Sequence, residues 1–157
     1  MSRKSLSLSL SSPDATAALA ARFASALGPG NVLLLQGDIG AGKTHFARAL
    51  IQTLLTVPED VPSPTFTLVQ TYDTRSGELW HADLYRLTSP DEVIELGLVD
   101  AFEEAICLVE WPDRLADLFP ESALMLEFEL SQHEGHRSLK LSWSNPGWDH
   151  IVRTATS

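Results

Sequence analysis

A chain of 157 residues, 44% hydrophobic and 20% charged, is long enough for one domain with its own core and too short for two full ones. Its 21 acidic side chains against 11 lysines and arginines leave a net charge of −10, which excludes an unaided electrostatic grip on DNA, RNA or an anionic membrane. A single cysteine cannot close an internal disulfide, and no Cys/His array has structural-zinc spacing, so a cytoplasmic protein is the expectation.

Leu6, Leu8 and Leu10 alternate with serines and predict a strand with one apolar face rather than a signal peptide. No run of eighteen apolar residues occurs, so no membrane span is expected. Ser12-Pro13-Asp14 sets a capping residue before a proline at the first helical position, and Leu19, Phe23, Ala26 and Leu27 continue at helical spacing up to Gly28. The unbroken Val32-Leu-Leu-Leu35 predicts a strand buried on both faces. A glycine-rich turn, Gly37 to Gly42, joins it to a helix running from Lys43 to Leu55.

Pro58, Pro62 and Pro64 make Thr56 to Thr65 a non-helical loop. Strands over 66–72 and 78–83 flank a hairpin turn at Asp73 to Gly77, and Ser89-Pro-Asp-Glu92 has the capping-box spacing for a short helix ending near Gly97. Ile106-Cys-Leu-Val109 reads as a second buried strand, closed by Glu110. Leu124, Leu126, Phe128 and Leu130, then Leu139, Leu141 and Trp143, alternate around a polar turn at His133 to His136 and predict a closing hairpin. The expected fold is α/β, a P-loop NTPase-like three-layer sandwich whose central sheet is mainly parallel and extended by antiparallel hairpins. Residues 1–144 form the domain, and 145–157, opening Asn-Pro-Gly, a loosely held tail.

Gly37-Asp38-Ile39-Gly40-Ala41-Gly42-Lys43-Thr44 matches G-x-x-x-x-G-K-[ST] between a predicted buried strand and a predicted helix. Glycines let the backbone curl so that successive N–H groups face phosphate oxygens, and the helix aims its positive dipole end at the same anion. Lys43 reaches the terminal phosphates in this reading, and the Thr44 hydroxyl ligates Mg²⁺. Such a site also needs a carboxylate at the tip of a neighbouring strand. Glu110, after four apolar residues, is the metal candidate; Asp83 is a second acid that positions a water or meets the metal through one. Each has a plainer reading as a solvated strand-end residue.

The Asn-Lys-x-Asp element of guanine-specific proteins is absent, which leaves adenine as the base. Ser63-Pro-Thr-Phe-Thr67 offers hydroxyls on a rigid loop where nucleotide switches occur, or simply a capped turn. His133-Glu-Gly-His136 lacks the spacing that puts two imidazoles on one helical face, and Cys107, inside an apolar run, reads as a core thiol. Trp111, beside Glu110, either packs or covers the nucleotide.

The glycine-rich motif, Val61-Pro-Ser-Pro-Thr-Phe-Thr-Leu-Val69, His81-Ala-Asp-Leu-Tyr-Arg-Leu87, Glu95-Leu-Gly-Leu98 and Val109-Glu-Trp-Pro112, in that order and over nearly the whole chain, resemble the bacterial TsaE family. The resemblance implies a cytoplasmic Mg²⁺-dependent ATPase needed to make N6-threonylcarbamoyladenosine beside the anticodon of tRNA. It implies TsaB-like and TsaD-like partners, with tRNA met only through the complex. Carried over by position, Gly37 to Thr44 hold the phosphates, Thr44 and Glu110 hold Mg²⁺, and Asp83 serves hydrolysis with Lys43. Thr16 touches the nucleoside, and Arg137 is the late basic residue on the nucleotide. His45 joins the nucleotide-binding set where the family usually has a second threonine. Two other readings share the motif: a P-loop small-molecule kinase, and a non-catalytic module that uses ATP to order loops for a partner.

Overall fold

The computed structural model describes residues 3–38, 41–64, 67–131 and 136–157. Ile39, Gly40 and the beginning of the strand expected at 66 lie outside them, as does the His133-Glu-Gly portion of the expected polar turn.

The elements follow the local signals closely where those signals are strong. Strand β1 (Lys4–Leu10) leads to helix α1 (Pro13–Ala24), where the Ser12 hydroxyl accepts from Ala15 N–H at 3.1 Å, as a cap should. Strand β2 (Val32–Gln36) is followed by α2 (Lys43–Leu54). Strands β3 (Val69–Thr74) and β4 (Gly77–Asp83) form the expected hairpin, with β3 beginning after a turn in which Leu68 has a positive φ of 66°. Glu92 accepts from Ser89 N–H at 3.2 Å beside the short helix α3 (Asp91–Glu95), which is half of the expected capping box; the Ser89 hydroxyl accepts from Asp91 N–H at 3.3 Å instead of from Glu92. The helix ends before Gly97 as expected, but Gly97, in the left-handed region at φ 84°, also leads into a second short helix, α4 (Leu98–Glu104), beyond the expected elements. Strand β5 (Ile106–Glu110), a 3₁₀ segment (Pro112–Leu118), β6 (Leu124–Leu130) and β7 (Arg137–Trp143) complete the sheet.

One sheet of seven strands runs β1-β7-β6-β2-β5-β4-β3. The inner strands β6, β2, β5 and β4 are parallel, whereas both margins, β3 on β4 and β7 and β1 beyond β6, are antiparallel. This is the expected arrangement, a parallel centre extended at both margins by antiparallel strands. Alternation along the inner strands splits the core in two. Leu33 and Leu35 of β2 with Ile106 and Leu108 of β5 pack under α1 and α2, while Val32, Leu34, Cys107 and Val109 pack on the opposite face with Val93, Leu98 and Leu115.

The loosely held tail is a correction. Residues 148–156 form helix α5 (Trp148–Thr156), whose Trp148, Val152 and Ala155 are buried in the core beside α1. Trp148 donates its indole N–H to the Ser122 carbonyl at 2.8 Å, and Arg22 of α1 donates to the Ala155 carbonyl at 2.6 Å. Packing of that apolar stripe, more than intrinsic propensity, holds a helix this short.

Candidate functional site

The loop between β2 and α2 lies at the carboxyl end of the inner parallel strands, where open α/β sheets present ligands. Gly37, at φ 148°, is required there: a Cβ would stand 2.5 Å from the Phe128 carbonyl oxygen of β6. Gly42, at φ 111°, turns the chain into α2, whose first N–H groups are directed toward the loop.

A cavity of about 530 Å³ opens beside this helix end. Of the residues singled out from the sequence, Thr16, Gly42, Lys43, Thr44, His45, Asp83, Glu110 and Arg137 all line it, although they come from α1, α2, β4, β5 and β7. Gly37, Asp38 and Ala41 instead line a second depression, against Phe128 and Glu129 of β6. The side chains expected to act together thus share the first cavity, while Gly37, Asp38 and Ala41 line the other.

The acids are brought together by strand register. Asp83 and Glu110 are paired positions on the parallel strands β4 and β5, and by alternation they share the α2 face with Leu79, His81, Ile106 and Leu108. Glu110 is 1% exposed. Its Oε1 accepts from the Thr44 hydroxyl at 2.7 Å, and its Oε2 lies 2.7 Å from His81 Nε2. The solvated strand-end alternative is excluded for both acids, since each is buried. Burial is the main cause that holds the Asp83 carboxyl above its ordinary range. The charge of Glu110 pushes the same way, against the Tyr85 N–H bond at 3.1 Å and the positive influence of His81 and Lys43.

Lys43 is similarly enclosed. Its ammonium donates to the Gly37 carbonyl and lies 3.6 Å from the centroid of the Trp111 ring, so Trp111 is a wall of the site. Burial lowers its pKa, opposed by Glu110, Asp83, Asp38 and Asp113. Trp111 holds this place from a left-handed backbone conformation, φ 61°, ψ 54°, and Tyr85 packs on it with ring centroids 4.9 Å apart. At the other side of the cavity, the Thr16 hydroxyl donates to Ser12 O at 3.4 Å, the His45 ring meets Pro13 O at 2.9 Å, and Arg137 donates to the His136 carbonyl at 2.9 Å.

The Thr44 hydroxyl and the Glu110 carboxylate form an adjacent pair of hard oxygen donors. Among the described residues no cluster of three or more His, Cys, Asp or Glu forms a ready metal cage. That donor set fits Mg²⁺ held jointly with phosphate and water, because Mg²⁺ commonly takes only one or two protein ligands. It does not fit a cation that requires an all-protein cage.

The sequence reading missed His81, Tyr85 and Arg86 as site residues. Tyr85 and Arg86 line the cavity, and His81 touches Glu110 from within the core. For His81 a signal existed: it shares strand parity with Asp83, which places it on the face that Glu110 occupies. Cys107 is a core thiol, wholly buried and pushed up to about 12 by burial, with Glu78 adding to the shift.

Comparison with known proteins agrees over most of the chain. Residues 10–139 match the family model described as "Threonylcarbamoyl adenosine biosynthesis protein TsaE". This chain belongs to the TsaE family. TsaE proteins take part in the biosynthesis of the threonylcarbamoyladenosine of tRNA. The TsaE protein of Rickettsia bellii is 40% identical over 121 residues, covering 77% of this chain and 84% of that one. Bacillus subtilis TsaE is 38% identical over 115 residues, covering 73% and 71%. The crystal structure of Bacillus subtilis YdiB superposes with a TM-score of 0.78 at 26% identity, across 99% of this chain and 97% of that one. Among the described residues of this TsaE chain, no helix is long and apolar enough to cross a membrane.

Proposed function

We propose that this TsaE chain is a cytoplasmic, Mg²⁺-dependent ATPase with a P-loop NTPase-like fold, working in tRNA threonylcarbamoyladenosine synthesis with TsaB-like and TsaD-like partners. One observation carries the reading: Lys43, Thr44, Asp83 and Glu110, from three separate elements, converge on one cavity at the amino end of α2. Residues 37–44 cradle the phosphates, with Lys43 leaving its place over Trp111 to offset their charge. Thr44 and Glu110 hold Mg²⁺, which when bound offsets charge on the phosphate oxygens. Asp83 orients the attacking water, a task suited to a buried acid close to the metal ligand. Thr16, His45 and Arg137 line the part of the cavity left for the nucleoside. The net charge of −10 favours an indirect role toward tRNA, through the partners.

The test is ATP turnover by the purified chain, alone and with TsaB-like and TsaD-like proteins plus tRNA. Hydrolysis that rises with the partners is expected. Turnover that instead requires a small-molecule phosphate acceptor would return the kinase reading, and nucleotide binding with no turnover in any mixture would return the assembly-module reading.

A further inference from the structure

Glu110 is unusual for an expected metal ligand because both of its carboxylate oxygens already have protein partners. Oε1 faces the Thr44 hydroxyl at the start of α2, and Oε2 faces the imidazole of His81. A carboxylate that holds a metal ion only accepts hydrogen bonds, and Glu110 in that role would take this one from His81 Nε2. His81 Nδ1 has no hydrogen-bond partner among the described residues, so the Glu110 contact is the only polar one the ring makes among them. The imidazole is 0% exposed and lies beside Leu79 and Leu108, where a leucine would satisfy packing. A polar ring at such a position, with a single polar partner, is accounted for by that partner.

We propose that His81 is a positioning residue that confines Glu110 to one-oxygen coordination and so sets the preference of the site for Mg²⁺ over the larger Ca²⁺. The reason is geometric. Ca²⁺ takes six to eight oxygens and readily uses both oxygens of a carboxylate, whereas Mg²⁺ demands near-octahedral geometry and takes carboxylates sparingly. With Oε2 held by His81, only Oε1 remains on the side of Thr44 and the loop. The inference rests on the Mg²⁺-nucleotide reading above and adds to it a cation-selecting role for a residue that lines no part of the cavity.

The experiment titrates Mg²⁺ or Ca²⁺ against binding of a fluorescent N-methylanthraniloyl-ATP at fixed nucleotide, for the parent, His81→Leu, His81→Gln and His81→Asn, with a thermal midpoint for each. His81→Leu is expected to raise the Mg²⁺ concentration for half-maximal binding by about 10-fold or more, within the range found for residues that orient metal ligands, and to shrink the Mg²⁺/Ca²⁺ preference. His81→Gln, whose amide nitrogen can stand where imidazole Nε2 stands, should restore both, and the shorter His81→Asn should not. A folded His81→Leu protein with parental Mg²⁺ midpoint and parental preference would overturn the proposal. So would an equal loss for both cations that glutamine fails to rescue, since that is the mark of a packing defect. If His81→Leu does not fold, equal midpoints and preferences for the Gln and Asn variants overturn it. Glu110→Ala separates the two levels: a shifted Mg²⁺ midpoint there with none in His81→Leu sinks only the role of His81, whereas metal-independent binding by the parent sinks the Mg²⁺ reading as well.

Discussion

Cys107 and Glu110 share strand β5 and are both buried, yet they lie on opposite faces of the sheet and have opposite fates. On the face of α3 and α4, Cys107 is enclosed by apolar side chains, and among the described residues its Sγ–H reaches only backbone carbonyls, Ala101 O at 3.4 Å among them. On the α2 face, Glu110 meets a hydroxyl and an imidazole, with a lysine and a second acid lining the same cavity. Burial by itself makes a group inert, as it does the thiol. Burial among converging polar partners makes a group usable, because each partner is fixed in place and the low dielectric magnifies its effect.

Lys43 of α2 lines the same cavity as Asp83 and Glu110, and its loss is the most damaging change expected on this face. Lys43→Ala is expected to lower kcat/KM for ATP by on the order of 10²–10³, the scale for losing one preorganised charge-stabilising group. Steady-state kinetics on a protein of parental thermal midpoint checks it; parental turnover would sink the α2 face as the site.

Asp83→Asn should lower kcat by about 10²-fold while leaving ATP bound, as expected for a lost water-orienting acid. It should also raise stability at neutral pH. The folded-state pKa of Asp83 lies above its ordinary value of 3.8, so the native protein binds that proton more tightly than the unfolded chain. Its contribution therefore falls as pH rises from the ordinary carboxylate range through the raised value, and it persists as a penalty above that window. Asparagine can still accept the Tyr85 N–H bond and carries no charge to desolvate. Denaturant midpoints of parent and variant at pH 7 and near pH 3 measure this: the gap should be present at pH 7 and shrink in acid, and a less stable variant at pH 7 would contradict it.

Glu110→Ala should raise the Mg²⁺ concentration for half-maximal turnover by about 10-fold, while excess Mg²⁺ recovers part of the rate. A kinetic Mg²⁺ titration distinguishes this from a loss that no concentration repairs. Reversed phenotypes for Asp83 and Glu110 would exchange their roles and keep the site.

The smallest effect is expected across the sheet. Cys107, with its thiol pKa at about 12, should resist an aromatic disulfide reagent at pH 8 in the folded protein and react on unfolding. Cys107→Ala should leave turnover per folded molecule unchanged and cost about 1 kcal/mol of stability, as a small core truncation does. Rapid labelling of the native protein would show that the opposite face is as open as the site.

Much of this protein was decided by the sequence alone, wherever the deciding physics is local. Ser12 caps α1 through its own hydroxyl, Gly37 and Gly42 permit backbone angles that residues with a Cβ adopt poorly, and the apolar runs of β2 and β5 declare burial on both faces. Tertiary structure decided the rest. That β6 lies beside β2 while β1 closes on β7 depends on which surfaces meet across the fold, and spacing along the chain carries no record of it. Residues 148–156 look like a tail because nine residues after Asn-Pro-Gly have little helical stability until Trp148, Val152 and Ala155 find the core. His81 went unassigned for the same reason. Parity with Asp83 marks the face His81 occupies, but only the register of two parallel strands puts it 2.7 Å from Glu110, and that contact is a property of neighbouring strands rather than of either one.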